Sequence, residues 1–126
     1  MGKSKETETY PSGTLNILAS GTKLKGDITA QEDFRVDGTI DGNIQCHGKI
    51  IVGQSGHVSG NIDCSQIDLF GKVTGNITSS ETVILKSTSL LIGDIKTHII
   101  EIEPGARFEG TCSMNDNNSL NESLEV

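Results

Sequence analysis

Three cysteines, three histidines and a recurring Gly-Asn or Gly-Asp pair are the residues of this chain whose types could carry chemistry. Cys46, Cys64 and Cys112 raise the question of a redox or metal site, but no CxxC pair accompanies them, as a structural zinc site would need. Asp27, Asn43, Asn61, Asn76 and Asp94 each follow a glycine, which suggests calcium. Calcium β-rolls, however, depend on a nine-residue Gly-Gly-x-Gly-x-Asp repeat, and that repeat is absent. No Ser-His-acid spacing and no paired carboxylate stands out for catalysis. The chemistry-bearing residues make sense only once the elements that hold them are found.

Those elements repeat. An apolar residue, any residue, Gly, Asn or Asp, then Ile occurs at Leu24-Lys25-Gly26-Asp27-Ile28, Ile40-Asp41-Gly42-Asn43-Ile44, Val58-Ser59-Gly60-Asn61-Ile62, Val73-Thr74-Gly75-Asn76-Ile77 and Leu91-Ile92-Gly93-Asp94-Ile95. A degraded sixth copy stands at Phe108-Glu109-Gly110-Thr111-Cys112. The glycines at 26, 42, 60, 75, 93 and 110 are separated by steps of 16, 18, 15, 18 and 17 residues. That period is too short for helix-pair repeats and fits one coil of a β-solenoid.

Within each step three short apolar pieces alternate with period two, as half-buried strands do. One piece carries Phe34 and Val36, Ile50 and Val52, Ile67 and Leu69, Val83 and Leu85, or Ile100 and Ile102. Turn formers follow it: Asp37-Gly38, Gly53-Gln54-Ser55-Gly56, Gly71, Ser87-Thr88-Ser89 and Pro104-Gly105. Residues at equal offsets should stack about 4.8 Å apart in successive windings. Two residues before the glycine the column reads Leu24, Ile40, Val58, Val73, Leu91, Phe108, and two after it Ile28, Ile44, Ile62, Ile77, Ile95, Cys112. Both must face inward. Four after it come Ala30, Cys46, Cys64, Ser79, Thr97 and Met114, a column of mostly small residues where the coil is tight.

These columns reassign the chemistry. Cys46 and Cys64 share an offset in adjacent windings, within possible disulfide range, but read best as small buried core residues. His47 and His98 share an outward offset yet stand three windings apart, roughly 14 Å, too far for one metal with bonds of ~2 Å. His57 falls on another corner, and all three read as surface residues. The Asn and Asp residues read as a stacked ladder at a corner, bonded to their neighbours above and below. No metal or cofactor is expected.

Composition agrees with an all-β solenoid: 15 Gly, 2 Pro, no Trp and four aromatic residues in 126. The chain length bounds it to one domain. Residues 1-13 and 115-126 are polar and read as disordered tails around a β-helix over 14-114. A net charge of -7, with Lys and Arg scattered singly, argues against nucleic acid. No apolar run reaches membrane-span length and no signal peptide is evident, so a cytoplasmic location is expected. An odd cysteine count fits a reducing compartment.

The six copies of apolar-x-Gly-[Asn/Asp]-Ile, with Leu15-Asn16-Ile17-Leu18 opening the repeat, resemble the bactofilins, polymer-forming bacterial cytoskeletal proteins. The resemblance covers roughly residues 14 to 114. It implies a compact right-handed β-helix of about six windings with a triangular section, assembling end to end into filaments without nucleotide. It also implies roles in cell shape, positioning of cell-wall enzymes or motility, with cell-wall or membrane-associated partners and a place at the inner face of the cell membrane. The family phenylalanine used in subunit contacts matches Phe108 in Ala106-Arg107-Phe108-Glu109-Gly110. Some members attach to membrane through early aromatic and basic residues; here Met1-Gly2-Lys3-Ser4-Lys5 has no early aromatic, and Glu6 and Glu8 cancel the lysines, which argues against direct membrane contact.

Physical reasoning reaches the same activity. A β-helix has unpaired backbone groups and apolar columns at both ends, and monomeric solenoids cover them with polar caps. No amphipathic helix is readable before Leu15 or after Met114. Leu15, Ile17, Leu18 and Leu24 at one end, and Phe108, Cys112 and Met114 at the other, are therefore the expected subunit interface. An end contact that does not close into a ring gives a filament.

The rival reading is an enzyme, a left-handed hexapeptide-repeat acyltransferase or the related zinc carbonic anhydrase. Ile28, Phe34, Ile40, Cys46, Val52, Val58, Cys64 and Phe70 are spaced by six, but the series breaks at Asn76 and Thr82. Three hexapeptides also need a step of 18, which only two of five windings show. A passive ice- or glycan-binding solenoid would need a flat Thr or aromatic ladder, which is absent.

Overall fold

The computed structural model describes residues 15–114, which form sixteen strands paired in parallel. The tails expected at 1-13 and 115-126 lie outside the described residues. The strands are β1 (Leu15–Leu18), β2 (Lys23–Lys25), β3 (Ile28–Ala30), β4 (Asp33–Val36), β5 (Thr39–Asp41), β6 (Ile44–Cys46), β7 (Lys49–Val52) and β8 (His57–Ser59). They continue with β9 (Ile62–Leu69), β10 (Lys72–Thr74), β11 (Ile77–Leu85), β12 (Leu90–Ile92), β13 (Ile95–Thr97), β14 (Ile99–Ile102), β15 (Arg107–Glu109) and β16 (Cys112–Met114).

Each winding has three sides. The first face stacks β2, β5, β8, β10, β12 and β15. The second stacks β3, β6, the first part of β9, the first part of β11, β13 and β16. The third stacks β1, β4, β7, the latter parts of β9 and β11, and β14. Six strands on each face make six windings. The chain enters on the third face with β1 and leaves the described region on the second with β16.

The core is the set of inward columns. Ile40, Val58, Val73 and Leu91 on the first face, and Ile44, Ile62, Ile77 and Ile95 on the second, are buried and stand opposite one another in register. The third face adds Phe34, Ile50, Ile67 and Val83, and beside them Val36, Val52, Leu69 and Leu85. Branched aliphatic side chains dominate because a winding this narrow has room for one layer of medium-sized residues from each side.

The uneven step has a simple origin. The corner between the first and second faces is always two residues, Gly followed by Asp, Asn or Thr. The corner between the second and third faces is one residue at Ser65 and His98, and two at Gln31-Glu32, His47-Gly48 and Ser80-Glu81. The extra residue of Ser80-Glu81 over Ser65 is the one register irregularity in the pairing of β9 with β11. The corner between the third and first faces holds two residues at Asp37-Gly38 and Phe70-Gly71, and four elsewhere. The four-residue corners close as turns, Gly56 N–H donating to the Gly53 carbonyl, Ser89 to Lys86 and Ala106 to Glu103. In the last, Pro104 precedes Gly105 at φ +99°, the order a type II turn requires.

Candidate functional site

The constant corner is built by one device repeated five times. The backbone N–H of Asn43 donates to Asp27 Oδ1 at 3.0 Å, that of Asn61 to Asn43 Oδ1 at 2.9 Å, and that of Asn76 to Asn61 Oδ1 at 3.1 Å. Asp94 N–H donates to Asn76 Oδ1 and Thr111 N–H to Asp94 Oδ1, both at 3.1 Å. The ladder expected at this corner exists, but it joins side chain to backbone rather than amide to amide. It works equally well with Asp or Asn because only the acceptor oxygen is used. Gly60 makes the corner possible: it sits at φ +151°, and a Cβ there would strike the carbonyl oxygen of Gly42 in the winding below.

A shallow open groove runs along this corner past Asp27, Asn43, Gln45, Asn61, Asp63 and Asn76. Of these residues, Asp27, Asn43, Asn61 and Asn76 each commit their Oδ1 to the ladder. No group of three or more His, Cys, Asp or Glu residues able to hold a metal occurs among the described residues.

Both cysteines of the small-residue column are buried. Cys46 Sγ donates to the Glu32 carbonyl at 3.2 Å, as Ser79 Oγ does to Ser65 and Thr97 Oγ1 does to Glu81, so the column caps the second corner from inside. Burial, with the neighbouring Cys46 and Asp63 adding to it, pushes the Cys64 thiol far up from its ordinary value. A thiol held neutral is a poor nucleophile and metal ligand. His47 and His98 are exposed, as expected, whereas His57 is half-buried on the first face between Thr39 and Lys72.

The ends differ from the middle. Leu18 and Leu24 close inward columns opposite Val36 and Ile40 and are half-buried, since no described winding lies below them. Phe108 lies over Leu91, Cys112 over Ile95 and Met114 over Thr97, and burial falls from complete at Leu91 and Thr97 to half at Phe108 and 52% exposure at Met114. Leu15 and Ile17 behave otherwise. They stand in register with Asp33 and Arg35, on the outer side of β1, and Ile17 is 60% exposed. Strand alternation forces this once Leu18 stacks on Val36. They flank the end surface at its rim, while Asn16 takes the inward position beside Phe34.

The structure also brings residues to the ends that the sequence reading left out. Ile28 is half-buried below Ile44, and Ile100 and Ile102 top the third face, Ile102 at 52% exposure. Their position follows from counting: the sixth copy ends on the second face, which leaves β14 without a strand above it among the described residues.

Fold and site together define a class: a parallel β-solenoid whose described residues make six windings, with apolar columns that run to the first and last of them. The bactofilin family model, described as polymer-forming cytoskeletal, matches residues 16–113. The chain is 36% identical over 98 residues to bactofilin BacO of Myxococcus xanthus, covering 78% of each. It is 29% identical over 116 residues to BacP of the same organism, covering 92% of this chain and 48% of BacP. Among solved structures, it superposes on Thermus thermophilus bactofilin from a cryo-EM reconstruction of double helical filaments, with a TM-score of 0.75 and 26% identity over 79% of this chain and 99% of that one. A crystal structure of a phenylalanine-to-arginine mutant of Thermus bactofilin gives a TM-score of 0.68 at 30% identity, over 71% of this chain and 100% of that one. This chain belongs to the bactofilin family. It is a structural protein of the cytoskeletal class rather than an enzyme, and the hexapeptide-repeat reading is not favoured.

Proposed function

We propose that the protein polymerises end to end into a nucleotide-independent cytoplasmic filament, with its two end windings as the joint. The observation that carries this is the termination of the core columns: Leu18, Leu24 and Ile28 at one end, and Ile100, Ile102, Phe108, Cys112 and Met114 at the other, are apolar and incompletely covered. Stacking a further winding on either end continues both the apolar columns and the backbone ladder. Leu15 and Ile17 contribute at the edge of the joint rather than in its centre. The Thermus relatives support the reading, one seen as double helical filaments and the phenylalanine-to-arginine mutant as crystals.

A filament of this kind serves as a scaffold in cell shape, placement of cell-wall enzymes or motility, at the inner face of the membrane through cell-wall or membrane-associated partners. Among the described residues no helix is long and apolar enough to cross a membrane. Replacing Phe108 by Arg places a charge in the joint, at a cost of several kcal/mol if it stays buried. The expected outcome is a folded protein that sediments as small species and forms no filaments in electron micrographs. Long filaments from the Arg variant would remove Phe108 from the joint.

A further inference from the structure

The three outer faces are not alike. On the second face the outward column reads Thr29, Gln45, Asp63, Thr78, Lys96, Ser113, without an apolar residue. On the third face one outward column reads Ile17, Arg35, Ile51, Asp68, Ile84, Glu101, so an isoleucine recurs on alternate windings, exposed at Ile17 and half-buried at Ile51 and Ile84. Leu15 and Ile99 stand beside its two ends in the neighbouring column, both exposed. The charges between the isoleucines are largely neutralised within the subunit. Arg35 Nε lies 2.8 Å from Asp37 Oδ2, and Lys49 Nζ 3.2 Å from Asp68 Oδ2. Such a face loses less on drying than one with lone charges.

Resting on the filament reading above, we propose that this third face is the lateral contact between two filament strands of the same chain, with Ile51 and Ile84 at its centre. The stripe runs onto both end windings through Leu15, Ile17 and Ile99, so joining subunits end to end extends it without interruption. Six strands at ~4.8 Å and about four residues of ~3.3 Å give a face of roughly 400 Å². A stable pairwise interface needs about 800 Å² per partner. One subunit therefore holds its opposite weakly, whereas a polymer repeats the contact at every subunit and holds firmly. Pairing thus follows polymerisation.

The test uses the full chain, imaged by cryo-EM at one protein concentration. Wild type is expected as paired strands. Ile51→Lys/Ile84→Lys is expected as single strands of unchanged length, and Gln45→Lys/Thr78→Lys, which adds the same charge to the second face, as pairs. Pairs persisting in the Ile51/Ile84 variant, single strands in wild type, or equal loss of pairing in both variants would each overturn the proposal. So would pairing by wild type that vanishes on removal of residues 1–13, since the face would then be served by that segment. Wild type without filaments of any kind overturns the end joint as well. If the lysine variant fails to fold by circular dichroism, Ile51→Thr/Ile84→Thr, which keeps β-branching, is read by the same outcomes.

Discussion

At the scale of single residues, the ladder at the constant corner is a chain of backbone donors held by side-chain oxygens. Asn61 both receives and gives: its N–H reaches Asn43 Oδ1 and its own Oδ1 accepts from Asn76. Asn61→Ala leaves the Asn76 N–H to water at an exposed corner and should cost about 1 kcal/mol in urea denaturation. Asn61→Asp keeps the acceptor, as native Asp27 and Asp94 do, and should cost much less. Equal losses in the two variants would mean that the amide nitrogen matters. The spacing of these residues was readable in the chain, and so was their stacking. Which atoms bond was not, because an amide offers both a donor and an acceptor, and only the geometry of the turn selects the oxygen.

At the scale of the elements, strand positions repeat while corners vary. The inward columns were legible because burial imposes a period of two within a strand and identity of type between strands. The irregular steps of 15 to 18 were legible as lengths but not as places. Two of the three corners absorb them, and the Gly-Asn corner absorbs none, since its glycine must lie against the glycine below. One residue inserted after Ser65 converts a one-residue corner to the two-residue form of its neighbours His47-Gly48 and Ser80-Glu81. The expected loss is within about 1 kcal/mol. One residue inserted between Asn76 and Ile77 turns Ile77 and Ser79 outward and should abolish the folded β spectrum. Comparable circular dichroism melts for the two insertions would contradict this account of the corners. That Leu15 and Ile17 face outward was not readable, because a four-residue run of three apolar residues does not declare its phase, and only pairing of β1 with β4 sets it.

At the scale of the whole molecule, what distinguishes the ends from the middle is the lack of a covering winding among the described residues. Cys112 reports on this directly. It faces the column of Ile95 yet is exposed, while Cys46 and Cys64 are buried, and the Cys64 thiol is held neutral by its surroundings. Alkylation at pH 8 should therefore label Cys112 alone in the Phe108→Arg variant, and label it at least ten-fold more slowly in assembled wild type. Equal rates would place Cys112 outside the joint. The apolar ends were legible from the first and last copies of the repeat, whereas Ile100 and Ile102 needed the topology, which shows that the third face takes its last described strand, β14, before the first and second faces take theirs. The variable corners also bear on dimension. Since turns can lengthen or shorten without moving the strands, the axial extent of a subunit depends only on its number of windings. It is quantised in units of ~4.8 Å, so relatives can differ in the spacing of whatever they carry along a filament by whole strand separations, and by nothing smaller.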